Sequence, residues 1–193
     1  MTVLRGAKAV AETLALFVVV FAVQLVAPLV GLGAGWFALA LPLDVRPWTL
    51  VTSVYAHASV DHLFANAVAL LVVGLLVARR TSRVRFHSFF LVTGALSGVA
   101  TVLLGAAIGG ATAVLGASGA ILALVGYLLA GNLATESLLG RVTLSRRAWA
   151  VVVAVLALGV VLATGGPGVA LTAHVSGFVL GLVGGRLHVL RAG

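Results

Sequence analysis

Long apolar segments separated by short groups of basic residues constrain this chain more than any other feature. The first, residues 13–30, contains 18 predominantly apolar residues, enough to cross the roughly 30 Å hydrocarbon core of a bilayer as a helix. Of the whole chain, 62% is hydrophobic and 8% is charged, whereas a soluble domain carries about 25% charged residues. The sequence therefore predicts an integral membrane protein.

The apolar segments predict an all-α, polytopic fold with six transmembrane helices in a single domain that covers residues 1–193. The predicted spans are approximately residues 13–30, 59–78, 86–108, 117–132, 148–164 and 169–188. Ser59 is a favourable N-cap for the second span, and Asp61 suits the positive end of that helix. The first segment is longer than the about 7–15 apolar residues of a signal peptide, so a retained span is favoured over a cleaved one.

The basic residues predict the orientation of these spans. With six spans, 11 of the 12 Lys and Arg residues fall on the face that the two termini share, and only Arg46 lies opposite. Because positively charged loops stay on the cytoplasmic side, both termini are predicted to be cytoplasmic. The net charge of +8 is then explained by orientation and not by a nucleic-acid partner.

Composition also limits the chemistry. The chain has no cysteine, which excludes disulfides, thiolate zinc sites and a cysteine nucleophile. No cofactor and no metal are expected. The expected surroundings are a lipid bilayer, and a chain without a recognisable targeting segment fits the plasma membrane of a bacterium or archaeon.

Three polar stretches lie inside or beside apolar segments. They contain Gly116, Ser118 and Gly119; His62 and Asn66; and His174. A serine, a histidine and an amide donor are the parts of an acyl-transfer site, namely nucleophile, general base and oxyanion donor. The alternative for the serine stretch is close packing of membrane helices through small residues.

Helical geometry predicts that these stretches lie at one depth. At about 1.5 Å per residue, Asn66 lies roughly 20 Å, Ser118 roughly 21 Å and His174 roughly 18 Å from the cytoplasmic ends of their helices. All three then fall in the outer half of a core about 30 Å thick. His62 lies one turn above Asn66 on the same helix face. We therefore expect the three stretches to meet.

The fourth segment is predicted to begin at Ser118, below the outer surface, because residues 117–132 are too few to cross the whole core. The Gly-rich passage before it must then be irregular backbone at membrane depth, which is tolerated only when it is buried in protein or lines water. A helix that begins at Ser118 leaves unpaired N–H groups in its first turn. Such groups suit a developing oxyanion.

Small residues recur at every fourth position of the sixth span and permit close approach of the fourth helix. They are Ala173, Gly177, Gly181 and Gly185. This approach would bring His174 to Ser118.

A Ser–His dyad is expected, because the acidic residues are predicted to lie in the flanks, in the outer loop or in a helix cap. A zinc ion held by three histidines (His57, His62 and His174) is disfavoured, because the other polar residues in these stretches are an Asn and a Ser.

These elements together resemble the rhomboid family of intramembrane serine proteases. The resemblance is carried by His57-x4-His62-x3-Asn66, by Gly116-Ala117-Ser118-Gly119, and by Ala173-His174-x2-Gly177-x3-Gly181. It implies a six-helix rhomboid core with Ser118 as nucleophile and His174 as general base. It also implies an oxyanion hole formed by His62, Asn66 and the Ser118 backbone N–H, with supporting roles for Gly116, Gly119 and His57. Substrates would be membrane-anchored proteins that are cleaved in or near their transmembrane segments.

The sequence departs from the family pattern at two places. Leu122 stands where many members carry an aromatic residue, and Arg46 precedes Trp48 where a Trp-Arg order is common. The main alternative function is a catalytically silent rhomboid-like protein that binds transmembrane helices, which the presence of both Ser118 and His174 disfavours. A solute transporter is a weaker alternative because charged mid-membrane residues are lacking.

Overall fold

The computed structural model describes residues 2–79, 81–109, 113–131 and 170–191, together with the single positions 148, 151 and 155. This part of the chain is mostly helical, as predicted. The rest of the predicted fifth span, residues 148–164, and the basic residues at 141, 146 and 147 lie outside the described residues.

Six α-helices are defined in the described part of the chain. They are α1 (Thr2–Val26), α2 (Thr49–Tyr55), α3 (Val60–Ala78), α4 (Arg83–Ala107), α5 (Ser118–Ala130) and α6 (Ala170–Arg186). Within these described residues, three segments are long and apolar enough to cross a membrane: residues 7–30, α3 and α4.

The helix boundaries follow local capping chemistry. The Ser59 hydroxyl accepts a hydrogen bond from the His62 N–H (3.1 Å), and α3 begins at Val60 as the sequence predicts. Helix α4 begins three residues before the predicted Phe86, because the Ser82 hydroxyl accepts a hydrogen bond from the Arg85 N–H (3.3 Å) and caps an earlier start. A serine at this position satisfies one of the unpaired N–H groups of the first turn.

The first predicted span is not α-helical throughout. Helix α1 ends at Val26, and the last four residues, Ala27–Val30, form a 3₁₀ turn. Pro28 explains the change, since its ring and missing N–H are incompatible with a continuing α-helix. Gly31 closes the turn with a positive φ of 78°, a conformation that glycine adopts without steric cost.

Helix α2 and a pair of short β-strands were not predicted from the sequence. Helix α2 occupies residues 49–55, which are rich in β-branched residues and have weak helix propensity. Strand β1 (Leu39–Ala40) pairs antiparallel with strand β2 (Ala113–Val114), with Leu39 opposite Val114. The strands satisfy backbone groups of two loops that would otherwise be unpaired beside an apolar environment.

Helix α5 forms the centre of the described bundle. Every residue from Ser118 to Leu128 is buried, and the helix packs most extensively against α6 and also against α3 and α4. A helix that is hydrophobic all round is a core helix. Its 13 residues span about 20 Å, less than the thickness of the hydrocarbon core, as predicted for a helix that begins within the membrane.

Glycines set the distance between α5 and α6. A Cβ atom on Gly177 would collide with the backbone of Gly119, and one on Gly181 would lie 2.7 Å from the carbonyl carbon and Cα of Ala123. The two backbones are therefore in direct contact, as the small residues at every fourth position predict. This contact fixes the position of the residues that α6 carries relative to the start of α5.

A polar contact joins α1 to α4 at the end of the bundle that is predicted to be cytoplasmic. The Glu12 carboxylate pairs with the Arg83 guanidinium (2.6 Å) and with His87 Nε2 (3.0 Å). The sequence predicts a local pair between Lys8 and Glu12 and a solvated His87. The described contacts instead connect two helices that are distant in the chain, so this glutamate has a tertiary role.

Candidate active site

Ser118 and His174 are in contact inside the protein. The Ser118 hydroxyl lies 2.9 Å from His174 Nε2, and the two residues are only 7% and 1% exposed. In the tautomer that carries the ring proton on Nδ1, the serine hydroxyl donates to Nε2. This distance lies within the range of about 2.6–3.2 Å over which a general base removes a proton.

The loop before Ser118 is held by hydrogen bonds on two sides. Strand β2 pairs with β1, and the Gly116 N–H donates to the Ser53 carbonyl of α2 (2.8 Å). Gly116 has a φ of +128°, a conformation that favours glycine. A Cβ atom at Gly116 would also lie 2.7 Å from His62 Cε1. Both the backbone and the packing therefore require glycine at position 116.

The His62 ring lies beside this loop. The Ala58 N–H donates to His62 Nδ1 (3.4 Å), so a neutral His62 carries its proton on Nε2. This nitrogen lies 3.0 Å from the point where a Gly116 Cβ would be. His62 Nε2 thus lies beside Gly116, which is two residues before Ser118 in the chain.

Asn66 lies one turn below His62 and is fully buried. Its Nδ2 donates one hydrogen bond to the His62 carbonyl (2.9 Å), and this bond fixes the orientation of the amide. A side-chain amide has a second N–H. Its carbonyl oxygen contacts no donor among the described residues. Asn66 therefore has hydrogen-bonding capacity that no described residue uses.

The two remaining predicted residues, His57 and Gly119, lie beside the site. The buried His57 ring packs edge-on against Phe17 (centroids 4.7 Å apart) and against His62 (5.2 Å). A Cβ atom at Gly119 would collide with the Ser97 hydroxyl. His57 thus supports His62 by packing, and Gly119 permits α4 and α6 to approach the start of α5.

Three residues near the site were missed by the sequence analysis. Gln24 of α1 hydrogen-bonds both backbone groups of His57, Ser53 accepts from Gly116, and Ser97 packs on Gly119. Gln24 could have been found from the sequence, because it is a polar amide within an apolar span. The two serines could not, since small polar residues are common in membrane helices.

No group of three His, Cys, Asp or Glu side chains able to hold a metal ion occurs within the ranges that the structure describes. Of the three histidines considered above as zinc ligands, His57 and His62 lie close together with their rings edge-on. The other, His174, is hydrogen-bonded to the Ser118 hydroxyl. The arrangement fits acyl transfer, which needs a nucleophile, a base and N–H donors.

These features define a class: a helical integral membrane protein with a hydrogen-bonded serine and histidine buried at the start of its central helix. A family model described as the Rhomboid domain matches residues 44–191. The chain therefore belongs to the rhomboid family, whose members generally are intramembrane serine proteases. A search of the curated proteins found no match.

Proposed function

We propose that this chain is an intramembrane serine endopeptidase that uses Ser118 as nucleophile and His174 as general base. The observation that carries the proposal is the 2.9 Å contact between the Ser118 hydroxyl and His174 Nε2 at the buried start of α5. A serine is a weak nucleophile unless a base accepts its proton. The contact supplies such a base.

The reaction follows from this pair. The Ser118 oxygen attacks the carbonyl carbon of the scissile peptide bond while His174 Nε2 takes the hydroxyl proton. The C–N bond then breaks, and His174 returns the proton to the leaving amine. Water attacks the resulting ester, again with His174 as base. The carboxyl product leaves, and the proton returns to the serine oxygen.

Negative charge on the carbonyl oxygen is stabilised by three sources in this proposal. They are the unpaired N–H groups at the start of α5, the His62 Nε2–H and the second N–H of Asn66. Donors that are fixed in a water-poor site stabilise a developing oxyanion more strongly than water does. Burial of Asn66 supports this role.

The proposed substrates are membrane-anchored proteins, cleaved in or near a transmembrane segment. Family membership supports this substrate class, and the burial of the pair within a helical bundle agrees with it. The proposal includes a single six-span domain with cytoplasmic termini in a prokaryotic plasma membrane. The distribution of basic residues supports the orientation.

A serine-directed fluorophosphonate probe tests the proposal without a known substrate. We expect labelling of the purified wild-type protein and no labelling of Ser118→Ala or His174→Ala. Ser176→Ala is the matched control, because the Ser176 hydroxyl donates to the Thr172 carbonyl of its own helix (2.7 Å) and should not affect labelling. Labelling of Ser118→Ala equal to wild type would exclude this nucleophile. No labelling of folded wild type would favour the catalytically silent helix binder.

Asn66→Ala is expected to lower turnover about 100-fold or less, as for one oxyanion donor among several. The measurement is kcat on a single-span membrane substrate, with folding checked by thermal unfolding. Phe64→Ala is the control, since Phe64 lies on the same helix but is 68% exposed. Unchanged turnover would remove Asn66 from the oxyanion hole, and loss of folding would assign it a structural role.

A further inference from the structure

Gln24 of α1 binds both backbone groups of a single residue. Its Oε1 accepts from the His57 N–H (3.0 Å), and its Nε2 donates to the His57 carbonyl (3.1 Å). The two residues are separated by 33 positions, so this is a tertiary contact. We refer to this pair of hydrogen bonds as the Gln24 clamp.

The clamp holds the short connection between two helices. The Ala56 N–H still donates to the Thr52 carbonyl of α2, and the Ser59 carbonyl accepts from the Leu63 N–H of α3, so His57 and Ala58 lie between these helical hydrogen bonds. Residues 56–59 connect the end of α2 to the start of α3. In a membrane, backbone groups outside a helix need partners from the protein. A glutamine amide is suited to this task because it is one group with both a donor and an acceptor.

The clamped segment is continuous with the proposed oxyanion hole. The Ala58 N–H, which directly follows His57, donates to His62 Nδ1, and the His57 ring packs edge-on against the His62 ring. The tautomer and the direction of the His62 donor thus depend on where residues 57 and 58 lie. Displacement of His57 would move both contacts of the His62 ring at once.

We propose that Gln24 is a positioning residue for the oxyanion hole, acting through His57 and Ala58 on His62. This inference rests on the proposed protease function. The hydrogen bonds of Gln24 go to His57 and not to Ser118, so its effect is on the geometry of one donor. Loss of the clamp should therefore lower kcat more than it changes KM, because an oxyanion donor acts mainly in the transition state.

The test compares Gln24→Met with wild type. Methionine matches glutamine in length and suits an apolar helix, but it forms neither hydrogen bond. We expect kcat to fall about 10- to 100-fold, in line with a small misplacement of a catalytic group, with KM within about twofold of wild type. Amide hydrogen exchange should become faster at residues 57–62. Val23→Met is the control, since Val23 is adjacent on α1 and 47% exposed; neither kcat nor exchange should change in it.

The exchange rates and kcat of the Gln24 variants decide whether Gln24 has the positioning role. Unchanged exchange at residues 57–62, or unchanged kcat in a folded Gln24→Met protein, overturns the positioning role. If the methionine variant does not fold, Gln24→Asn carries the same comparison, because its amide is one methylene too short to reach both His57 groups. If wild type neither cleaves nor reacts with the fluorophosphonate, the proposed function fails, whereas the exchange measurement still reports on the clamp alone.

Discussion

Replacement of Ser118 by alanine is expected to abolish cleavage of a membrane-anchored substrate while the protein stays folded. The substitution removes one oxygen atom from a buried site and adds no volume, so packing around the start of α5 should be preserved. His174→Ala should have the same effect, because the serine then has no base at 2.9 Å. Loss of either member of such a pair lowers turnover on the order of 10⁴-fold or more.

The double variant gives the sharpest form of this prediction. Residues that act as a unit are not additive, so Ser118→Ala combined with His174→Ala should be no less active than either single variant. The measurement is the amount of cleaved substrate after reconstitution in vesicles, with Ser176→Ala as the fully active control. Additive losses in the double variant, or residual cleavage well above background in Ser118→Ala, would contradict a Ser–His dyad.

Gly181→Ala is the second substitution with a large expected effect. The added Cβ would lie 2.7 Å from two backbone atoms of Ala123, and a helix backbone cannot turn aside as a side chain can. Helices α5 and α6 must therefore separate, and overpacking of this kind costs about 1–3 kcal/mol. The separation would also lengthen the contact between Ser118 and His174. Because a displacement of about 1 Å can cost on the order of 100-fold in rate, activity should fall together with the thermal unfolding temperature.

The control for this prediction is a glycine-to-alanine change at a position with room for the added methyl group. A Cβ atom at Gly33 would meet no atom within 4 Å, so Gly33→Ala should leave both activity and unfolding temperature unchanged. Both quantities are measured on purified protein in the same detergent. Wild-type activity in Gly181→Ala would mean that the site does not depend on the close approach of α5 and α6.

The sequence predicted the central features of the candidate site because they depend on one-dimensional patterns. The start of a helix at Ser118, the cap at Ser59 and the small residues of α6 are each visible in a few neighbouring positions. The contact between Ser118 and His174 was predicted by counting residues along their helices. The family assignment rests on the same residues, and the match over residues 44–191 agrees with it.

Other features could not be predicted, because they depend on which distant groups become neighbours. Gln24 is chemically able to bind any exposed backbone, and only the packing of α1 beside residues 56–59 selects His57. Likewise, Glu12 has Lys8 close in sequence, but Arg83 and His87 are the partners that the fold brings to it. Helix α2 forms despite weak local propensity, since tertiary packing overrides propensity in short segments.

The sequence by itself determined that this chain is a helical membrane protein of the rhomboid family, because hydropathy and residue spacing are local properties of the chain. The tertiary structure decided how the candidate site is held. The direction of the His62 donor, the bond from Gly116 to Ser53 and the clamp on His57 each join residues from different elements. Such contacts depend on the packing of helices at distances of a few ångströms, which residue spacing alone does not specify.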